Sequence, residues 1–413
     1  MSGNISGKVL KVAKSLIGKQ PAQKKAGKYH FDLYNRFPVT LVKGKGSKVW
    51  DDERNEYIDA LAGIAVNSLG HSHPKIVKAL QKQSGKLMHV SNFYYNEPQS
   101  DLAEKLVKVS GLDRVFFCNS GAEAVEGAIK LARKYSFIKG KTGAIISMEN
   151  SFHGRTLGAI AMGKEKYQKG FAPMPDGFDR IPFNDIKTLE NRVNDQTIAI
   201  ILETVQGEGG IVPVSEQFLK AARELCNSLD IPLILDEVQC GIGRTGKMFA
   251  YQHYNIKPDI VVSAKALGSG FPIGAVIAQE KFAKAFEHGN HGTTYGGNPL
   301  ACAVALETLK VIEDDNICEM ARVRGEYMMT RLRDLSTNWP AIKDVRGMGL
   351  MIGVELNFPG RDVVNEMLKR GVLSNCASDV VIRIVPPLII TKEEIDRVIE
   401  VLVESIKVVE KKY

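Results

Sequence analysis

PLILDEVQCGIGRTGKMFAYQHYNIKPDIVVSAKALGSGFPIG, from Pro232 to Gly274, is the stretch whose reading decides the fold. It holds two short aliphatic runs, Leu233–Leu235 and Ile260–Val262, each bounded by turn-forming residues. Continuous β-branched and aliphatic runs of this length read as strands buried on both faces, which is the pattern of a parallel sheet. An acid, Asp236, closes the first run, and a lysine, Lys265, follows the second. Ligands of open α/β sheets bind outside the carboxyl ends of their strands, where both side chains would lie.

An acid and a lysine held at neighbouring strand ends suit pyridoxal 5'-phosphate. The lysine would hold the cofactor as a Schiff base, and the acid would keep its pyridine nitrogen protonated as an electron sink. Taken singly, each residue has a plainer explanation. An aspartate after a strand commonly caps a helix or turn, and a lysine is commonly solvated. The weight lies in the ensemble.

Outward from this centre, further strand-to-loop junctions recur. RVFFCN (Arg114–Asn119) reads as a strand that breaks at Ser120-Gly121-Ala122 into a helix bearing Ala124, Ala128, Leu131 and Ala132 on one face. The unpaired N–H groups of such a helix start favour a phosphate, although an ordinary tight connection has the same form. Ala144–Met148 is a strand followed by ENSFHGRT, where Phe152 can stack on a planar ring and Arg155 can take a carboxylate. His153 reads as a structural histidine. Ile198–Glu203 is another strand, leading into VQGEGG, whose Glu208 has the look of a solvated turn residue. In the glycine-dense HGTTYGGNP, Thr293 and Thr294 offer hydroxyls to a phosphate or carboxylate, or serve only the loop, and Pro299 opens a helix.

The flanks differ in composition. Leu41–Asp59 alternates apolar and polar residues and reads as a β meander, with Gly44-x-Gly46 as a turn. His71 and His73 precede Pro74 without a third ligand in view, so a turn is favoured over a metal site and no metal is expected. Near the C-terminus, Val345–Leu356 and Val380–Val385 look like strands, and Thr391 with Glu394 forms a capping box for a last helix. The expected organisation is a basic arm and small β segment over 1–60, a large α/β domain over 61–318, and a smaller α+β domain over 319–413.

The net charge of +8 and pI near 9.0 would suit nucleic acid, but residues 1–31 carry seven Lys and no Arg, Asp or Glu. Taking those seven from 55 basic residues leaves 48 against 47 acidic, so the body is nearly neutral and no nucleic-acid partner is expected. Val9, Val12, Ala13, Leu16 and Ile17 fall at helical spacing in the arm, which suits packing on the body or a partner better than a transit peptide or membrane helix. Six scattered cysteines with no CxxC pair suggest a reducing, cytoplasmic setting, and no apolar run reaches membrane-spanning length.

NSGAEA, SFHGRT, VQGEGG, LDEVQCGIGRTG, AKALGSGFPIGA, TTYGGNPLACA and VRGMGLMIGVEL, in this order, resemble the class-III aminotransferases from about Tyr34 to the C-terminal helix. That resemblance implies the PLP-dependent fold type I, with a large, mostly parallel sheet domain and a smaller α+β domain. It further implies that Lys265 holds the cofactor and shuttles a proton, Asp236 meets the pyridine nitrogen, and Gln239 lies near the ring hydroxyl. Ser120, Gly121 and Ala122 would hold the phosphate and Phe152 would cover the ring. Thr294 would reach the phosphate of a neighbouring subunit, so a homodimer with shared sites is implied. Arg155, with Thr293 close by, would bind a substrate carboxylate. Glu208 and Arg383 would form a switch: the Glu neutralises the Arg while a terminal amine reacts, then releases it for the carboxylate of glutamate.

The implied reaction moves a terminal amino group from N-acetylornithine, or a related acylated diamino acid, to 2-oxoglutarate, in arginine or lysine biosynthesis. Ile64 stands where ornithine-specific relatives resemble one another in a tyrosine able to bond a free α-amine, which argues against unmodified ornithine. Val125 fits the 4-aminobutyrate enzymes better, and 4-aminobutyrate or ornithine remain the alternative donors. An aminomutase would need no external 2-oxo acid. A non-catalytic binding protein with a basic arm would have no use for both Lys265 and Asp236.

Overall fold

The computed structural model describes residues 22–413, so the amphipathic pattern of Val9–Ile17 lies outside the described residues. A seven-stranded sheet forms the centre. Its order is Arg114–Cys118, Gly274–Ala278, Ile260–Ser263, Leu233–Asp236, Thr197–Glu203, Ala144–Met148, Phe178–Ile181. Only Gly274–Ala278 runs antiparallel to its neighbours.

The central strands are buried on both faces, as their unbroken apolar runs foretold. Ile200, Leu202, Leu233, Leu235 and Val261 join one core with Phe218, Leu219 and Ala222 of the helix Glu216–Leu229. Ile201, Ile234, Ile260 and Val262 join the opposite core with Ala124, Val125, Ala128 and Leu131 of the helix Gly121–Ile138. Successive side chains on a strand point to opposite faces, so a strand covered by helices on both sides must be apolar throughout.

Three antiparallel strands, Leu41–Lys45, Lys48–Asp51 and Glu56–Asp59, form the expected meander, and Val372–Leu373 adds to it in parallel. Thus the N-terminal β segment and the C-terminal region share one sheet. Val345–Leu356 proves to be a hairpin, not one strand: Ile342–Met348 turns at Gly349, φ 53°, into Met351–Leu356. The left-handed backbone at Gly349 reverses the chain, and a Cβ there would lie 2.5 Å from the carbonyl carbon of Thr245. Val381–Ile384 and Asn375–Ala377 complete that sheet, and the last helix, Lys392–Val409, carries the Thr391–Glu394 capping box.

All six cysteines are free. Among the described residues no helix is long and apolar enough to cross a membrane, and no cluster of His, Cys, Asp and Glu has metal-ligand form.

Candidate active site

The parallel strands all end on one edge of the sheet, and the loops leaving them surround a cavity of about 440 Å3. Ser120, Gly121, Ala122, Phe152, Arg155, Asp236, Gln239 and Lys265 line it, together with His153 and Glu203. Glu208 and Arg383 stand behind Gln239, whose Oε1 accepts from Arg383 Nη1 at 3.3 Å. Thr293 and Thr294 do not line the cavity. Thr293 Oγ1 accepts from the Asn119 side chain and from the N–H of Gly296, each at 3.2 Å, while Thr294 is exposed.

Asp236 is buried and held from two sides. Its Oδ1 accepts from the N–H of Val238 at 3.0 Å, and its Oδ2 lies 2.7 Å from His153 Nδ1. His153 therefore does more than fill space. Burial opposes its protonation, but the hydrogen bond and charge of Asp236, with the charge of Glu203, outweigh this and raise its pKa. Its Nε2 is buried without a partner among the described residues.

Lys265 is half-buried and sits at φ 44°, a left-handed backbone that a lysine adopts only when its surroundings impose it. Burial, then the nearby charge of Arg383, lowers its pKa to about 8. Such an amine is half deprotonated near pH 8, far below the ordinary lysine range, and the neutral form is the nucleophile.

The helix Gly121–Ile138 begins at the cavity with Ser120 as N-cap, its hydroxyl accepting from the N–H of Glu123 at 3.2 Å. Gly121 is required by close approach, because a Cβ there would lie 2.8 Å from Val238 Cγ1. This glycine-lined helix start, the buried acid at Asp236, the unpaired nitrogen of His153 and the lowered Lys265 amine fit a phosphate-bearing pyridine aldehyde such as pyridoxal 5'-phosphate.

Arg383 is buried on the strand Val381–Ile384 and makes an ion pair with Glu208. Its Nε donates to Asn375 Oδ1 at 3.0 Å. Glu208 is thus no solvated turn residue. Burial would raise its pKa, yet the charge and hydrogen bond of Arg383, aided by Lys265 and Lys164, hold it below the ordinary carboxylate value. Arg155 is exposed at the mouth, its guanidinium 3.9 Å from the centroid of the Tyr167 ring, and it makes no ion pair among the described residues. A free guanidinium stacked on an aromatic face is suited to binding a carboxylate.

Sequence reasoning passed over Glu203, the His153–Asp236 contact and Tyr167. Glu203 left a trace: Ile198–Glu203 ends in an acid, as Leu233–Asp236 does. The buried Glu203 carboxyl accepts from the N–H groups of Phe152 and Gly207, each at 3.1 Å. Burial pushes its pKa up to about 7. Val125 lies in the core against the sheet and does not line the cavity. Ile64 lies in a turn, Ala62–Ala65, whose four residues all have positive φ, and Val66 just beyond it lines the cavity.

Residues 32–406 match the family model for class-III aminotransferases. The chain is 56% identical over 384 residues to an acetylornithine aminotransferase of Methanocaldococcus jannaschii, covering 91% of this chain and 96% of that one. Its fold superposes with a TM-score of 0.93 on an ornithine aminotransferase from Toxoplasma gondii with pyridoxal phosphate at its active site, at 34% identity over 100% and 99% of the two chains. An acetylornithine aminotransferase from Elizabethkingia anophelis superposes with a TM-score of 0.85, at 37% identity over 93% of this chain and 98% of that one.

Proposed function

The chain belongs to the class-III aminotransferase family, and we propose that it moves the terminal amino group of N-acetylornithine to 2-oxoglutarate, giving the semialdehyde and glutamate. A role in arginine biosynthesis follows from that reaction. The observation that carries the reading is the convergence of Lys265, Asp236 and the helix start at Gly121 on one cavity.

Bound there, pyridoxal 5'-phosphate supplies an aldehyde that takes up the amino group and a ring that accepts the electron pair left when a substrate C–H bond breaks. Ser120, Gly121 and Ala122 would hold its phosphate, Phe152 would cover its ring and Gln239 would meet its ring hydroxyl. Asp236, oriented by His153, would keep the ring nitrogen protonated. Lys265 would hold the cofactor and then carry a proton on Nζ between substrate and cofactor carbons. Arg155 would take a carboxylate of the substrate, with Thr293 supporting the adjoining loop. Glu208 would neutralise Arg383 while the terminal-amine donor reacts, and release it for the carboxylate of glutamate.

A homodimer with shared sites belongs to the same proposal. Phe93, Tyr94, Tyr95 and Tyr295 are exposed, and Asn92 Nδ2 donates to the carbonyl of Thr293 at 3.1 Å, so the loop carrying Phe93–Tyr95 lies beside the loop carrying Thr294 and Tyr295. A second copy covering this apolar surface would bring Thr294 to its partner's phosphate.

Single-turnover absorbance with purified holoenzyme tests the donor. Rapid loss of the bound-cofactor band with N-acetylornithine, and slow loss with ornithine and 4-aminobutyrate, is expected. A preference for 4-aminobutyrate would overturn the donor assignment, and Ile64→Tyr should raise the ornithine rate relative to that of N-acetylornithine.

A further inference from the structure

The Glu208–Arg383 pair is held differently at its two ends. Arg383 is 1% exposed and fixed by Asn375 and Gln239 as well as by Glu208. The Glu208 carboxylate, 25% exposed, has Arg383 as its sole hydrogen-bond partner among the described residues. The main chain of Glu208, by contrast, is pinned. Its carbonyl accepts from Lys164 Nζ at 2.8 Å and from Ser378 Oγ at 3.0 Å, which uses both lone pairs. Gly207 donates to Glu203, and the carbonyl of Gly210 accepts from Arg346 Nε at 2.9 Å.

Two of these anchors come from the sheet that carries Arg383. Arg346 lies on Ile342–Met348, and Ser378 directly follows Asn375–Ala377, whose Asn375 is the register partner of Arg383. Ser378 and Asp379 have φ 50° and 61°, a left-handed turn without glycine that places the Ser378 hydroxyl against Glu208.

Resting on the switch reading above, we propose that Ser378, beside the sheet bearing Arg383, and Lys164, from the segment between the strands Ala144–Met148 and Phe178–Ile181 of the large sheet, are positioning residues that pin the Glu208 main chain from both sides, so that the pair opens by rotation of the Glu208 side chain alone. Held from both sides, the loop keeps the Glu208 carboxylate against Arg383 until its side chain turns. With either anchor removed, the loop drifts, Glu208 leaves Arg383 more often, and the unpaired charge of Arg383 favours glutamate over the terminal-amine donor.

The test measures both half-reactions, with N-acetylornithine and with glutamate, on holoenzyme of the wild type, Lys164→Met, Ser378→Ala, the double variant and Glu208→Gln. Each anchor variant should keep full cofactor content, and the ratio of glutamate rate to N-acetylornithine rate should rise about 3-fold singly and about 10-fold in the double variant. Lys164→Arg, which keeps a donor, should restore most of the ratio. An unchanged ratio, or equal losses in both halves, in variants whose Glu208→Gln control does shift the ratio would overturn the anchoring and leave the switch standing. No shift in Glu208→Gln itself would overturn the switch, and the anchoring with it.

Discussion

Asp236 and Glu203 are register partners on adjacent parallel strands, two carboxyl groups side by side at the edge of the sheet. Asp236 is matched by His153, while Glu203 has only two backbone N–H groups and no ion pair among the described residues. Burial raises the Glu203 pKa, and the neighbouring charge of Asp236 adds to this against the opposing charge of His153.

Glu203 should therefore make stability depend on pH. Its folded pKa of about 7 exceeds the ordinary 4.5, so the folded protein binds more protons between these values. Stability from this group is full below about pH 4.5 and falls as pH rises through 7, by on the order of 2–3 kcal/mol. Glu203→Gln should flatten that slope in denaturation midpoints taken at pH 5 and pH 8, even if the variant is less stable throughout. A slope equal to that of the wild type would refute the burial argument.

Lys265 should control cofactor uptake. Only the neutral amine attacks an aldehyde, so the rate at which apoenzyme takes up pyridoxal phosphate should rise with pH, reach half its maximum near 8, and level off above. A half-point near 10.5 would mean that the cavity does not depress the amine. Lys265→Ala should lose at least about 100-fold in turnover. Borohydride reduction should fix the cofactor to the wild-type peptide containing Lys265 and leave the variant unlabelled.

Gly121→Ala tests the phosphate cradle. Its methyl group would meet Val238 at 2.8 Å, pushing apart the helix start and the loop after Asp236. Weaker cofactor binding is expected, by roughly 10-fold or more in a fluorescence titration, with destabilisation of about 1–3 kcal/mol. Unchanged affinity would remove Gly121 from the site.

Arg244 is a strut rather than a ligand. Fully buried, it donates to the carbonyls of Leu350 and Pro386 and to the Ser68 hydroxyl, tying three parts of the chain together. Burial lowers its pKa to about 9, so it stays charged at neutral pH. Arg244→Met should cost about 3 kcal/mol or more by stranding those acceptors, lowering the melting temperature by roughly 3 °C or more. Cofactor bound to the remaining folded protein should be unaffected.

The local pattern of the chain carried much of this. The unbroken runs at Leu233–Leu235 and Ile260–Val262 required burial on both faces, and that alone implied a parallel sheet with helices on each side. The residues after those strands, Asp236 and Lys265, marked the site because strand direction sends every strand end to one edge. Pro299 and the Thr391–Glu394 pair marked helix starts through backbone chemistry confined to a few residues.

Relations between distant segments were out of reach of such reading. The hairpin at Gly349 was hidden because the apolar pattern runs straight through the turn. Pairing of Val372–Leu373 with Glu56–Asp59 joins segments more than three hundred positions apart, and no periodicity records it. The same holds for charge. By itself the sequence determined which residue types stand at the strand ends, because hydrophobic patterning and turn chemistry act over a few neighbours. Only the tertiary structure decided that Asp236 would meet His153, that Glu203 would go unmatched and that Lys265 would lose its proton near pH 8, because desolvation and Coulomb energies depend on what the whole fold packs around a group.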